Sequence, residues 1–174
     1  MFEERMQISV IGASEPSEEA YRLAEEIGLE LGKRGVITVT GGLGGVMEAA
    51  CKGAKKAGGT TIGILPGSDP SDANPYVDFT ICTGIGYARN VMVVKSGMAA
   101  IAVAGAFGTL SEIAHALGDG IPVIGISTWS IFRDGDDNPP IVYADNAVDA
   151  VDKAIDAAST RHGIYSFDTR RSFE

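Results

Sequence analysis

Three stretches of this chain combine glycine with side chains able to hold an anion. The first is Gly41-Gly42-Leu43-Gly44-Gly45-Val46-Met47. Glycines in such a turn let the backbone approach a ligand and leave amide hydrogens exposed at the helix that follows. Four glycines in five residues exceed what one tight turn requires, so Gly41, Gly42, Gly44, Gly45 and Met47 are candidate ligand contacts. The second stretch is Gly105-Ala106-Phe107-Gly108-Thr109-Leu110-Ser111-Glu112. Thr109 and Glu112 have the spacing of a capping box, with Thr109 as N-cap and Glu112 reaching back to its amide. The same spacing suits a phosphate or ribose cradle of Gly105, Gly108 and Thr109 with Glu112 facing the ligand, and a first-turn glutamate can do both. The third stretch is Gly84-Ile85-Gly86-Tyr87-Ala88-Arg89-Asn90. An arginine can clamp a phosphate bidentately, although a lone arginine on a first helical turn is more often solvated. Asn90 stands beside Arg89, and Ser14 closes the first apolar run at Gly12-Ala13-Ser14; both join the candidate ligand contacts.

Other chemistries find less support. A dinucleotide fingerprint belongs after the first strand and wants an acid at the end of the second, which here ends in Thr40-Gly41. No Walker A loop and no GxSxG elbow is present. Glu112 and His115 have the spacing of a carboxylate-bridged metal helix, but such sites need a second copy, so His115 reads as structural. His162 adds no zinc site, and no metal is expected. Cys51 and Cys82 lack a CxxC spacing and read as buried, reduced thiols. Trp129 reads as packing rather than stacking. Nothing marks a Schiff-base lysine, and Lys95 reads as an ordinary helix residue.

The elements that must carry these residues alternate between strand and helix. Gln7 to Gly12 is the first apolar strand. Ser17 to Arg34 is an amphipathic helix in which Leu23, Ile27 and Leu31 recur every four residues, stopped by Gly35. A strand over Val36 to Thr40, a helix over Val46 to Ala57 and a strand over Thr60 to Leu65 follow. Beyond the polar loop Gly67 to Tyr76, the pattern gives strand Val77 to Cys82, helix Tyr87 to Gly97, strand Ala99 to Ala104, helix Thr109 to Leu117 and strand Pro122 to Ile126. Phe132 to Pro140 is a polar loop, Ile141 to Tyr143 a short strand, and Asp145 to Ala158 a last helix with Asp145 as N-cap.

Continuous apolar strands between helices predict an α/β, three-layer Rossmann-like fold with a mostly parallel central sheet flanked by helices. Ligands of such sheets sit beyond the carboxyl ends of the strands, where strand order reverses. The 174 residues, 45% of them hydrophobic, suit one nucleotide-binding domain over 1–160, with 161–174 as an aromatic and basic tail. A domain of that size buries about 70% of the surface of its unfolded chain. The net charge of −9 argues against a nucleic-acid or anionic-membrane surface, but not against a small phosphorylated ligand held by amides at a helix start. With no leader-like or membrane-spanning run, a cytoplasmic location is expected.

Taken together, these stretches resemble the LOG-type family of Rossmann-like proteins, many of which carry the label lysine decarboxylase. The family pattern is a glycine-rich turn ending in Met, an Arg-bearing helix, and PGGxGTxxE. Its counterparts are Gly41 to Met47, Arg89, and Ala104 to Glu112, and the resemblance spans about residues 7 to 158. In family members that are enzymes, it implies hydrolysis of the N-glycosidic bond of cytokinin or purine nucleoside 5′-monophosphates. Arg89 and Glu112 would then be the catalytic pair, the carboxylate stabilising an oxocarbenium-like ribose. Two departures matter: the family's Pro-Gly-Gly is Ala104-Gly105-Ala106, and its Arg-Lys is Arg89-Asn90. Gly-x-Gly-Tyr-Ala-Arg-Asn instead resembles the molybdenum-cofactor carrier branch, which binds a phosphate-bearing pterin as cargo. The expectation is therefore binding of a phosphorylated heterocycle, a nucleotide or the molybdenum cofactor, with no cofactor required. The alternatives are a phosphoribohydrolase and, as a minor reading, a non-catalytic interaction domain. The resemblance further implies a homodimer or higher homo-oligomer.

Overall fold

The computed structural model describes residues 5–132, 134–135 and 139–164, with the side chains of 161–164 excepted. Seven strands form one sheet: β1 (Gln7–Gly12), β2 (Ile37–Thr40), β3 (Thr61–Leu65), β4 (Phe79–Cys82), β5 (Ala99–Val103), β6 (Val123–Ile126) and β7 (Val142–Tyr143). Their order is β4-β3-β2-β1-β5-β6-β7, and every pairing among the described residues is parallel. The fold is Rossmann-like. The expected "mostly parallel" sheet is parallel throughout.

Five helices cover it: α1 (Glu18–Lys33), α2 (Val46–Lys56), α3 (Asn90–Ser96), α4 (Phe107–Gly118) and α5 (Ala147–Ile164). Alternate residues of the strands feed two cores, as the two-residue period of a strand requires. Ile8, Val10, Ile101 and Val103 pack with α1, α2 and α5 on one face. Ile11, Val39 and Ala102 pack with Val93 and Val94 of α3 and with Ile113 and Ala116 of α4 on the other. β5 is buried along its whole length, which explains its unbroken apolar sequence.

The chain builds outward from β1 to β4 and then returns to lay β5 against β1. Strand order therefore reverses between β1 and β5, and a crevice is expected beyond their carboxyl ends. That is where Ser14 follows β1 and where Ala104 to Gly108 follow β5.

Several boundaries shift for local reasons. Gly86–Arg89 is a 3₁₀ turn, so the α-helix expected from Tyr87 begins at Asn90. The last helix is capped by Asn146 rather than Asp145: the Asn146 side chain accepts the Asp149 amide at 3.0 Å. Asp149 in turn accepts the Asp145 amide at 3.0 Å, so Asp145 supplies a donor here and not the cap. The fourth strand is shorter than expected, Phe79–Cys82, and Cys82 is exposed on this sheet edge; only Cys51 is a buried thiol. His115 is also exposed. The tail expected from residue 161 is helical to Ile164 and otherwise lies outside the described residues, as do Arg133 and 136–138 of the polar loop.

α1 and α2 meet at the backbone. A Cβ on Gly28 would lie 1.9 Å from the Ala50 carbonyl oxygen, and one on Gly53 would lie 1.9 Å from that of Glu25. This close crossing fixes the α2 start against the sheet. Gly28→Ala and Gly53→Ala should each lower the unfolding free energy by about 2 kcal/mol, despite the roughly 1 kcal/mol that alanine returns in helix propensity. Urea denaturation checks this: an unchanged or raised midpoint contradicts the contact.

Candidate functional site

Beyond the β1 and β5 carboxyl ends lies a cleft of about 300 Å³, lined by Gly12 to Ser14, Leu43, Met47, Tyr87, Arg89, Asn90, Ala106, Gly108, Thr109 and Glu112. The three glycine-bearing stretches thus meet at one rim of the sheet, as the topology requires. Of the residues singled out in the sequence, Ser14, Met47, Arg89, Asn90, Gly108, Thr109 and Glu112 line this space. Gly41, Gly42, Gly44, Gly45 and Gly105 are not among its lining residues.

Gly41 makes room for the guanidinium. A Cβ there would lie 2.3 Å from Arg89 Nη1 and 2.6 Å from Met47 Sδ. Gly45 brings the chain beneath the β1 exit, where its Cβ would lie 2.4 Å from the Ser14 carbonyl oxygen. The first amide of α2 is consumed by this crossing: Val46 N–H donates to the Ala13 oxygen at 3.0 Å. The glycine-rich turn thus seats other groups, and the Val46 amide that follows it is already engaged. Two residues that pattern reading passed over hold it in place. The Thr40 hydroxyl accepts the Gly42 amide at 3.1 Å, and Asn74 donates its side-chain amide to the Leu43 oxygen at 2.9 Å. Asn74 comes from the polar loop before β4, and only the tertiary fold reveals that it is buried.

Arg89 is not a solvated surface residue. It is 6% exposed, and its Nε has no hydrogen-bond partner among the described residues. The nearest carboxylate is Glu112, itself 6% exposed, with Oε1 3.9 Å from Arg89 Nη1. That separation is beyond hydrogen-bond range. Burial pushes the Glu112 carboxyl up to about 7, with the Arg89 charge opposing the shift. Burial likewise lowers the Arg89 guanidinium from its ordinary value, against the pull of Glu112. A buried, incompletely paired cation is costly unless something else completes its coordination. Asn90, also buried, braces the site by donating to Ser111 Oγ at 3.3 Å, and Ser111 donates to the Gly108 oxygen at 2.7 Å.

The expected capping box is not formed. α4 begins at Phe107, two residues before Thr109, because Ala106 is extended and the chain turns helical directly after it. The N-cap is Ala106, with no side-chain cap, and Glu112 sits in the second turn facing Arg89. The amides of Phe107, Gly108 and Thr109 therefore have no intrahelical acceptor. Gly105 has φ +112°, and its Cβ would strike the Thr109 side chain at 2.5 Å, so this position requires glycine. Ala104 has φ +49°. A proline, locked near −65°, has no place at 104 in this loop, so the departure from Pro-Gly-Gly belongs to a different backbone course.

Glu112 should leave a mark on stability. The unfolded carboxyl ionises near 4.5 and the folded one near 7, so its contribution is full below about pH 4.5 and is lost as pH rises through about 7. Glu112→Gln removes that loss. Relative to the native protein, the variant should gain melting temperature between about pH 5 and about pH 8; parallel curves across that range refute the buried neutral carboxyl.

Residues 5–153 match the SLOG cluster4 family. An uncharacterized protein of Archaeoglobus fulgidus is 50% identical over 115 residues, covering 66% of this chain and 76% of that one. The molybdenum cofactor carrier protein of Chlamydomonas reinhardtii is similar in structure, with a TM-score of 0.81 and 34% identity over 90% of this chain and 99% of that one. The molybdenum cofactor binding protein of the phototrophic bacterium Rippkaea orientalis gives a TM-score of 0.80 at 32% identity, covering 89% and 98% of the two chains. The chain belongs to the SLOG cluster4 family, on the side of the LOG-like fold occupied by the molybdenum cofactor carrier proteins.

Proposed function

We propose that the cleft binds a phosphate-bearing heterocycle, with the molybdenum cofactor as the leading candidate cargo. The observation that carries this reading is the buried guanidinium of Arg89, with its orphaned Nε, beside the uncapped start of α4. An anion between them would accept from the cation and from backbone amides together, the arrangement that gives strong, charge-assisted hydrogen bonds. Leu43, Met47 and Tyr87 add apolar surface to the same cleft, and Tyr87 is 87% exposed. A ligand with an ionic end and a flat end suits that division of the walls. Similarity to a molybdenum cofactor carrier protein and a molybdenum cofactor binding protein supports the choice of cargo. In this reading Ser14, Asn90, Gly108 and Thr109 complete the polar side, and Gly41, Gly42, Gly44, Gly45 and Gly105 shape the backbone around it. A carrier's task is to bind and release, which needs no reacting group.

One observation favours a second reading, phosphoribohydrolase activity on nucleoside 5′-monophosphates. Glu112 combines burial, a pKa near 7 and proximity to Arg89, and such carboxyls serve as acids, bases or charge stabilisers at glycosidic bonds. The homodimer implied by the family is a proposal as well, supported by β4, a free sheet edge that exposes Phe79 and Ile81.

Calorimetric titration with isolated molybdenum cofactor, AMP and GMP tests the binding reading. At least one should bind, and Arg89→Ala should weaken it by tenfold or more, about the 1.5–3 kcal/mol of a hydrogen bond to a charged group. Absence of binding by all three removes the proposal. Incubation with AMP and cytokinin riboside monophosphate separates the two readings: the carrier releases no free base, whereas steady release abolished by Glu112→Gln establishes the hydrolase.

A further inference from the structure

We propose that Trp129 is a positioning residue of the α4 anion cradle, acting through the peptide unit that joins Ala106 to Phe107. The proposal rests on the cleft being an anion site. The segments leaving β5 and β6 run side by side, since Val103 pairs with Ile126 at the last register of the two strands. Both chains then take a left-handed residue, Ala104 at φ +49° and Ser127 at φ +50°. These are the positive-φ non-glycine residues of the described chain. Such conformations persist only where the surroundings over-determine them.

The surroundings here are the first residues of the segment after β6. The Thr128 hydroxyl donates to the Ala104 oxygen. Trp129 donates its indole Nε1–H to the Ala106 oxygen at 3.2 Å, and its ring meets Phe107 with centroids 5.6 Å apart at 41°. Tyr143 secures the tryptophan from behind, its hydroxyl donating to the Trp129 oxygen at 3.0 Å. The segment after β6 thus grips Ala104, which stands where the family pattern has its rigid proline, and Ala106 and Phe107 at the start of α4.

Peptide geometry turns this grip into a functional link. The Ala106 oxygen accepts both the indole N–H and the Leu110 amide, the latter at 3.0 Å. Because the peptide is planar and trans, the Phe107 N–H points the opposite way, out of the helix start. Ala106 and Gly108 line the cleft at that end. Hydrogen bonds in series polarise one another, so an indole donor on the carbonyl makes the amide a better donor to an anion. The same coupling runs in reverse: an anion on the Phe107 amide strengthens the indole bond. Trp129 is the only tryptophan of the sequence, so its emission reports this peptide without a label.

Inorganic phosphate serves as the probe, followed by calorimetry and by tryptophan emission on the native protein. Emission should shift and saturate with the calorimetric affinity, and Arg89→Ala should lose both signals. Trp129→Phe keeps a ring against Phe107 but removes the donor, and should weaken phosphate binding about two- to fivefold, the part of one neutral hydrogen bond by which the indole bond strengthens on binding and orients the peptide. Thr128→Val, which frees the Ala104 carbonyl, should weaken it comparably with the emission response retained. Phosphate binding with a silent tryptophan, or an unchanged affinity in Trp129→Phe, overturns the positioning role and leaves the cleft's function standing. If the phenylalanine variant does not fold, the native emission titration decides. If neither phosphate nor any phosphorylated heterocycle binds the native protein, the anion-site reading itself falls, and the positioning role with it.

Discussion

A guanidinium taken out of water without a full set of acceptors is the constraint around which this molecule is arranged. Arg89 lies 3.9 Å from a carboxylate that burial makes reluctant to ionise, and its Nε has no acceptor among the described residues. A close, bidentate Arg–Glu pair would have closed the site and neutralised it. Held apart, the two groups leave a positive, partly desolvated centre in a cleft that solvent or a ligand can enter. For the proposed ligand the consequence is selective: an anion would gain here what a neutral molecule of the same shape would not.

The rest of the rim is consistent with that centre. α1 and α5 close their own first turns with side chains, Ser17 accepting the Ala20 amide and Asn146 the Asp149 amide. α2 hands its first amide to Ala13. α3 and α4 have no side-chain cap, and both start at the cleft: Arg89 is itself the N-cap residue of α3, and Ala106, Gly108 and Thr109 bring the start of α4 to the same space. In the proposed reading, the open start of α4 and the Arg89 side chain are the two positive groups that an anion in the cleft would meet together. The glycines of the 41–45 turn contribute by absence, since a single methyl at Gly41 would collide with the arginine.

The Ala104-Gly105-Ala106 sequence illustrates how one structural task passes between residue types. A proline supplies rigidity by restricting φ. Here the backbone takes φ +49° at Ala104, a conformation closed to proline, and rigidity comes instead from hydrogen bonds donated across the sheet by Thr128 and Trp129. Local strain is held by contacts made far away in sequence. The loop therefore depends on the strand beside it, and the site spans β1, β5 and β6 rather than one motif.

The sequence by itself determined the alternation of strand and helix, the parallel sheet, and the rim on which the glycine-bearing stretches meet. Each follows from local rules, the period of apolar residues and the need to cover both faces of a buried sheet. It also marked Arg89 and Glu112, because the family pattern fixes their spacing. Only the tertiary structure decided what those residues are. Arg89 became a buried cation and not a surface one because Gly41, Met47 and Glu112 close around it, each of them more than 20 residues away in sequence. Glu112 left the capping role for the cleft because α4 starts two residues early, at an extended Ala106. Asn74 and Trp129 carried no readable signal, since their partners are backbone carbonyls, and which carbonyls come within reach is set by packing alone.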